Sequence, residues 1–264
     1  MNHRSLIRDT HRPQFSGHGV VRIPAVLTAD QAENLFTDFK SHIGPTPETN
    51  AYGVLRNNVW TQIPSFEHTL RTDRLAEIAM GLLDCTEIIC FQDNVICKVP
   101  GTQDQVAWHQ DYSYWPLDRP EGITLWVALT DASPGNGCMS FVPGSHELGE
   151  RCPTNFVAGS NQPLRPDLPA LNLDEAPNLP KPFPAQAGDV IAHHPLAWHM
   201  SPPNLSHTWR CAWSITFVKN TVRWSPEHAP HPFSLSEQPQ EGDPLAGPRF
   251  PRFTSRLHYD SEQS

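Results

Sequence analysis

EIICFQDNVICKV, residues 87–99, is the stretch on which the fold is decided. Its apolar, β-branched and aromatic content predicts a strand. Four more segments downstream read the same way: GITLWVALTDA (122–132), CMSFVP (138–143), DVIAHHP (189–195) and TWRCAWSITFV (208–218). Upstream the pattern changes. GVVRIPAV (19–26) reads as one short strand, and Thr28 is placed to cap a helix over 29–43, where Ala32, Leu35, Phe36, Phe39 and Ile43 share a face. A second helix is predicted over 72–84 from Ala76, Ile78, Ala79, Leu82 and Leu83. Helices first and many short strands afterwards predict a β-sandwich or jelly roll with helices on its outside. The 28 prolines agree, because they suit loops between short strands better than a helical bundle.

Residues 151–185 are rich in Pro, Asn and Leu without periodicity, and a connection of that length is expected to be functional, such as a lid, or disordered. The Pro-rich stretch after Trp224 is expected to wrap the surface. With no internal repeat and no linker composition, one domain is expected over 1–264, with a core at about 15–225 and a C-terminal extension at 225–264.

The chain of 264 residues is 38% hydrophobic and 18% charged, which suits a folded globular protein. Its net charge of −9, from 28 acidic against 19 basic side chains, gives no electrostatic reason to bind nucleic acid or anionic lipid. A small-molecule substrate is expected instead. The N-terminal MNHRSLIRDTHRPQF has no apolar run, so it reads as neither a signal peptide nor a membrane span. The six cysteines form no C-x-x-C pair. They are read as reduced thiols, and the chain as cytoplasmic.

The chemistry centres on Trp108-His109-Gln110-Asp111. In a strand, residues i and i+2 share a face, so His109 and Asp111 are expected to point together. One imidazole and one carboxylate make two thirds of a facial triad; a second imidazole completes a set that holds Fe(II) and leaves the opposite positions open for a co-substrate and O2. His146, His193, His194, His199 and His207 are the candidates. His199 is favoured by Arg210, eleven residues on across a Pro-Pro-Asn turn. A hairpin centred between Asn204 and Leu205 would set His199 opposite Arg210 and Ser201 opposite Thr208, on one face. The planar guanidinium of Arg210 pairs bidentately with a carboxylate. A dicarboxylate held by the metal at one end and by Arg210 at the other fits that face. Alternation within the strand agrees. Arg210, Ala212, Ser214 and Thr216 form a small polar face opposite Trp209, Cys211, Trp213 and Ile215, which suggests a ligand cavity.

These segments together resemble the phytanoyl-CoA dioxygenase family. The resemblance is carried by FQDNVICKVPG (91–101), WHQDYSYWP (108–116), TLWVALTDASPGNGCMSFVPGSH (124–146), AGDVIAHHPLAWHMSPPN (187–204) and RCAWSITFV (210–218). It implies a mainly β, double-stranded β-helix (jelly roll, cupin-like) with flanking helices. It also implies Fe(II), 2-oxoglutarate as co-substrate and O2. His109, Asp111 and His199 match the family's metal ligands, Arg210 its carboxylate-binding arginine, and Ser201 the hydroxyl two residues past the distal histidine. Trp126 matches a tryptophan that lines the co-substrate pocket; Asn94 aligns with a co-substrate contact that is often methionine. A lysine that some members place on 2-oxoglutarate has its nearest equivalent around Trp60, so that contact is expected to be lost or replaced. Gly135, Gly137 and Pro143-Gly144-Ser145-His146 match turns, with His146 expected to hydrogen-bond locally.

The expected activity is hydroxylation of a small metabolite with release of succinate and CO2. A desaturating or rearranging enzyme on the same scaffold is the alternative, and a non-catalytic metal-binding jelly roll a remoter one. A halogenase is disfavoured because Asp111 occupies the position a halide would need, and a zinc hydrolase because zinc leaves Arg210 and Ser201 unexplained. Tyr112, Tyr114, Trp115, Arg223 and Trp224 are the candidates for the substrate side.

Overall fold

The computed structural model describes residue 7 and residues 9–44, 53–155, 164–229 and 239–255. In chain order, helix α1 (His11–His18) and strand β1 (Val20–Ile23) precede the long helix α2 (Ala29–Ile43). Thr28 and Gln31 form a reciprocal capping box at the start of α2, so its boundary falls where the sequence put it. Strand β2 (Val54–Asn57) and helices α3 (Pro64–Leu70) and α4 (Arg74–Leu83) follow. The remaining strands are β3 (Glu87–Lys98), β4 (Val106–His109), β5 (Gly122–Ala128), β6 (Ser140–Phe141), β7 (Lys181–Pro182), β8 (Val190–His193), β9 (His199–Ser201), β10 (Arg210–Lys219) and β11 (Arg252–Thr254).

They build two sheets. The larger runs β1-β8-β5-β10-β3-β11, with β2 also paired to β3; the smaller runs β4-β9-β6-β7. Every pairing is antiparallel. Alternation sorts the large sheet's two faces. Ile123, Leu125, Val127, Cys211, Trp213, Ile215 and Phe217 join Leu35, Phe39, Phe66, Leu70, Leu75 and Ile78 of the helices in one apolar core. Burial of that surface is the main stabilising term. The other face looks across to the small sheet, and there the side chains line a cavity instead.

Three expectations change here. His199 and Arg210 do not sit in one hairpin. β9 pairs with β4 and β6 in the small sheet, whereas β10 pairs with β3 and β5 in the large one. The Pro-Pro-Asn segment therefore carries the chain from one sheet to the other. Asn204 fixes that crossing through Nδ2, which donates to Lys98 O at 3.0 Å and Thr208 O at 2.8 Å. The reading of all six cysteines as reduced also changes. Cys97 and Cys211 are register partners on β3 and β10, where directly opposed positions bring their sulfurs together, and they are joined as a disulfide. Finally, the His146 hydrogen bond is not local: Nε2 meets Ser16 O, at 3.0 Å, and ties the turn to α1.

Of the long 151–185 connection, residues 151–155 and 164–185 are described. They are fastened by Arg151–Glu175, by Asn178 Nδ2 donating to Pro143 O, and by β7 pairing with β6. Of the stretch after Trp224, β11 adds to the edge of the large sheet, and Phe253 enters the helix-covered core. Among the described residues, no helix is long and apolar enough to cross a membrane.

Candidate metal and ligand site

β4 ends at His109, and the chain then turns into a short 3-10 segment whose N-cap is Asp111. The two side chains converge because the chain leaves the strand, not because the strand continues through Asp111. β9 pairs with β4 and brings His199 opposite His109, with ring centroids 4.1 Å apart. Asp111 Oδ1 lies 3.8 Å from His109 Nε2 and 3.5 Å from His199 Nε2. The three side chains each offer one ligand atom within 4.8 Å of the others, which is a set that can close on one metal ion.

The tautomers are fixed from behind. His109 Nδ1 lies 2.8 Å from Ala107 O and His199 Nδ1 2.9 Å from Ala197 O. A carbonyl only accepts, so each Nδ1 carries the proton and each Nε2 a lone pair. Burial lowers the pKa of both imidazoles, most strongly that of His199, and keeps them neutral. Burial opposes ionisation of Asp111, but His199, His193 and His109 outweigh it and hold the carboxyl well below its ordinary range. Its second oxygen, Oδ2, accepts from Thr124 Oγ1 at 2.9 Å and meets His193 Nε2 at 3.1 Å. Thr124 and His193 are themselves register partners on β5 and β8.

Arg210 lines the same cavity and is 1% exposed. Nη2 donates to Ser201 Oγ at 3.4 Å, the guanidinium lies 5.6 Å from the Trp126 ring centroid, and Nε is buried without a partner. Among the described residues no carboxylate pairs with it. Burial lowers its pKa to about 10, yet it remains charged at neutral pH. A buried, uncompensated cation of this kind calls for an anionic ligand.

Asn94, Trp126 and Ser201 all line the cavity, as do Tyr114 and Trp115. Tyr112 and Trp224 do not: both pack in an apolar cluster at one end of the sandwich, and the Tyr112 hydroxyl donates to Leu117 O. Arg223 bonds to the carbonyls of Asn220 and Val222, outside the cavity. Trp60 lies on the helix-covered side, where its N–H donates to Asp93 Oδ2. Of the rejected histidines, His194 packs against Phe15 and His146, and His207 is exposed.

The sequence reading missed Lys98 and the partners of Asp111. Lys98 is fully buried and donates from Nζ to Asp104 O (2.6 Å), Pro202 O (2.7 Å) and Ser201 O (3.2 Å). Gly137, at φ +86°, lets the Pro202 carbonyl approach, since a Cβ there would meet Pro202 O at 2.7 Å and Lys98 Cδ at 3.0 Å. The signal for Lys98 was available: Gln92, Asn94, Ile96 and Lys98 alternate on one face of β3. Nothing in the sequence brings Thr124 and His193 to Asp111, because that meeting depends on β8 pairing with β5.

Two imidazoles and a carboxylate in an inter-sheet cavity, with the Arg210 cation buried in its wall, define a non-haem metal-binding jelly roll. Comparisons narrow this further. The family profile for phytanoyl-CoA dioxygenase (PhyH) matches residues 15–212, and the chain belongs to that family. It is 31% identical over 170 residues to phytanoyl-CoA dioxygenase domain-containing protein 1 of Danio rerio, covering 62% of this chain and 57% of the relative. A probable alpha-ketoglutarate-dependent hypophosphite dioxygenase of Stutzerimonas stutzeri is 24% identical, with 73% and 72% of the two chains covered. The chain spans about half the length of most of the curated relatives it matches, between 48% and 57% of the first few. Among solved structures it resembles the non-haem alpha-ketoglutarate-dependent carbocyclase SnoK, with a TM-score of 0.76 at 23% identity over 94% of this chain and 97% of that one. The epimerase SnoN, solved with Fe3+, alpha-ketoglutarate and nogalamycin RO, gives 0.74 at 23% identity over 92% and 96%. These likenesses establish the jelly-roll fold.

Proposed function

We propose that the chain is an Fe(II)- and 2-oxoglutarate-dependent dioxygenase that hydroxylates a small molecule and releases succinate and CO2. The observation that carries this reading is the pairing, in one cavity, of the His109–Asp111–His199 set with the uncompensated cation of Arg210. His109, Asp111 and His199 would hold iron: the donor set is two neutral nitrogens and one carboxylate, with both nitrogen lone pairs fixed toward the carboxylate. Bound iron supplies the redox chemistry that activates O2.

The chain's own residues do the rest. Arg210 binds the far carboxylate of 2-oxoglutarate, and Ser201 holds the guanidinium through its hydroxyl. Trp126 lies beside that guanidinium, and Asn94 lines the adjoining wall. His193 and Thr124 fix the second oxygen of Asp111, so that its first can face the metal. His109, His199, Ser201 and Arg210 are buried, and the lower dielectric there strengthens their charged contacts. The curated relative named as an alpha-ketoglutarate-dependent dioxygenase supports the reading.

The test is anaerobic loading with Fe(II) and 2-oxoglutarate. The expected result is a weak visible charge-transfer band and, on admitting O2, formation of succinate. A protein that binds iron but gives no band with 2-oxoglutarate overturns the proposal.

A further inference from the structure

The cavity has a volume of about 390 Å³. That lies near the lower end of the roughly 300–1,000 Å³ usual for ligand sites, and the co-substrate must share it. Among the described lining residues, Asp111, three histidines and Arg210 are the only carboxylate, imidazole, ammonium or guanidinium side chains. On the reading above, all of their charge is committed to iron and 2-oxoglutarate. No counter-charge is left for a substrate anion.

What remains on the large-sheet wall is neutral and polar, in two cross-strand rows. Asn57 on β2 is the register partner of Asn94 on β3, and Asn94 of Ser214 on β10. Gln92 on β3 is the register partner of Thr216 on β10. All five side chains line the cavity. Gln92 Oε1 and Asn94 Oδ1 are buried and have no protein partner. Leu55, Ile96 and Val106 supply apolar wall, and Tyr114 and Trp115 supply aromatic wall. The Tyr114 hydroxyl is already engaged with Thr154 O at 2.7 Å, so its ring is what it offers.

We propose that the primary substrate is a small uncharged molecule with hydroxyl or amide groups along one edge and an apolar face on the other, and that coenzyme A thioesters and free carboxylates are excluded. This rests on the dioxygenase reading, because it assigns Arg210 to 2-oxoglutarate. An acyl chain would cover Asn57, Gln92, Asn94, Ser214 and Thr216 without pairing any of them, and a site built to hydrogen-bond its ligand discriminates strongly against one that cannot. Three arginines that could meet a phosphate are already paired with acids. On the segments flanking Tyr114 and Trp115, Arg119 is held by Asp118, Arg151 by Glu175 and Arg165 by Asp167.

The experiment uses matched pairs on protein loaded anaerobically with Fe(II) and 2-oxoglutarate, read by calorimetry. Phenyl β-D-glucoside is compared with phenyl β-D-glucuronide, and cinnamyl alcohol with cinnamate; palmitoyl-CoA is the thioester probe. The expected result is that the neutral member of at least one pair binds at least tenfold more tightly than its anion, and that palmitoyl-CoA binds more weakly than that neutral compound. Thr216→Val, which keeps shape and removes the hydroxyl, and Gln92→Leu should each weaken the neutral compound severalfold. Anions or palmitoyl-CoA binding as tightly as the neutral compounds, pairs that do not separate, or variants without effect each overturn the proposal. The charge-transfer band is recorded first. If it is missing, the dioxygenase reading has failed; if it is present and the pairs behave alike, only the substrate inference has.

Discussion

Arg210 and Lys98 are register partners on β10 and β3, both are buried, and both reach Ser201: Arg210 through the hydroxyl, Lys98 through the backbone carbonyl. Two adjacent cations without an acid between them raise the local potential. Burial first, and then Arg210, lower the pKa of Lys98 to about 7. A dianion bound at Arg210 would favour the charged form of Lys98. The sign follows from linkage: above about pH 7 the free protein has lost that proton, so binding must recover it, and 2-oxoglutarate affinity should fall as pH rises from 7 to 9. For one group the fall is at most about tenfold per pH unit. Calorimetry in two buffers of different ionisation enthalpy should show proton uptake at pH 8 in the native protein and none in Lys98→Met.

His109→Ala and His199→Ala should each lose tight Fe(II) binding and the charge-transfer band, while the fold persists, since both side chains face the cavity. Asp111→Gly should abolish hydroxylation and open a coordination position to chloride. Equilibrium dialysis of Fe(II), followed by optical titration with 2-oxoglutarate, measures all three. Full iron occupancy in His199→Ala would mean another side chain supplies the third ligand.

His193 touches Asp111 and not the proposed metal position, so its effect should be on affinity rather than on presence of the site. Loss of such an outer partner typically costs about 10–100-fold in metal affinity or activity. His193→Phe should fall in that range, and Thr124→Val should also weaken metal binding, because it removes the hydroxyl that donates to Asp111 Oδ2 at 2.9 Å. Competition with a calibrated chelator gives both numbers. A wild-type affinity in His193→Phe would show that Asp111 needs no support from β8.

Much of this was legible before any coordinates. The 29–43 helix, the β3, β5 and β10 segments and the two faces of β10 follow from period and capping, which are local. His109, Asp111, His199, Ser201 and Arg210 were brought to one site for a partly wrong reason: a hairpin was expected where the chain crosses between sheets. The error was harmless because facing sheets and paired strands can both juxtapose two side chains. Helices α1 and α3 were missed, being short and carrying Pro, Gly or Ser inside or at their ends. The Cys97–Cys211 pair was missed because their sequence separation of 114 says nothing until β3 and β10 are known to be neighbours.

Asp93 lies on the other face of β3, in the helix-covered core, where its Oδ2 accepts from Trp213 Nε1 at 2.8 Å and Trp60 N at 3.0 Å. Burial raises its pKa to about 7 against those bonds. A folded-state value above the unfolded one means that the native protein holds a proton the unfolded chain has released. Stability should therefore fall as pH rises from about 4 to about 7, by at most ~1.4 kcal/mol per pH unit, and level off above. Asp93→Asn keeps an oxygen for both donors and cannot ionise, so it should flatten that slope. Urea unfolding at a series of pH values is the measurement, and an unchanged slope in Asp93→Asn would assign the pH dependence to other groups.

Arg210 carries the sharpest prediction. With 2-oxoglutarate bound, its guanidinium and the far carboxylate would form a charge pair largely removed from water, given that the side chain is 1% exposed. Removing one member of a buried pair typically costs ~3–5 kcal/mol, because the other charge is left uncompensated. At ~1.4 kcal/mol per factor of ten, Arg210→Leu should weaken 2-oxoglutarate by roughly two to three orders of magnitude. Iron should still bind, since His109, Asp111 and His199 are untouched. Arg210→Lys should restore only part of the loss: an ammonium lacks the planar fork and cannot serve Ser201 Oγ and a carboxylate in the same geometry. A 2-oxo acid without the distal carboxylate should be at a large disadvantage in the native protein and at almost none in the Leu variant, and this comparison separates a lost charge pair from general damage. Titration of both acids into the iron-loaded variants, with circular dichroism to confirm folding, decides the matter. Unchanged 2-oxoglutarate affinity in a folded Arg210→Leu would falsify the assignment and shift the search to Lys98, the other buried cation bonded to Ser201.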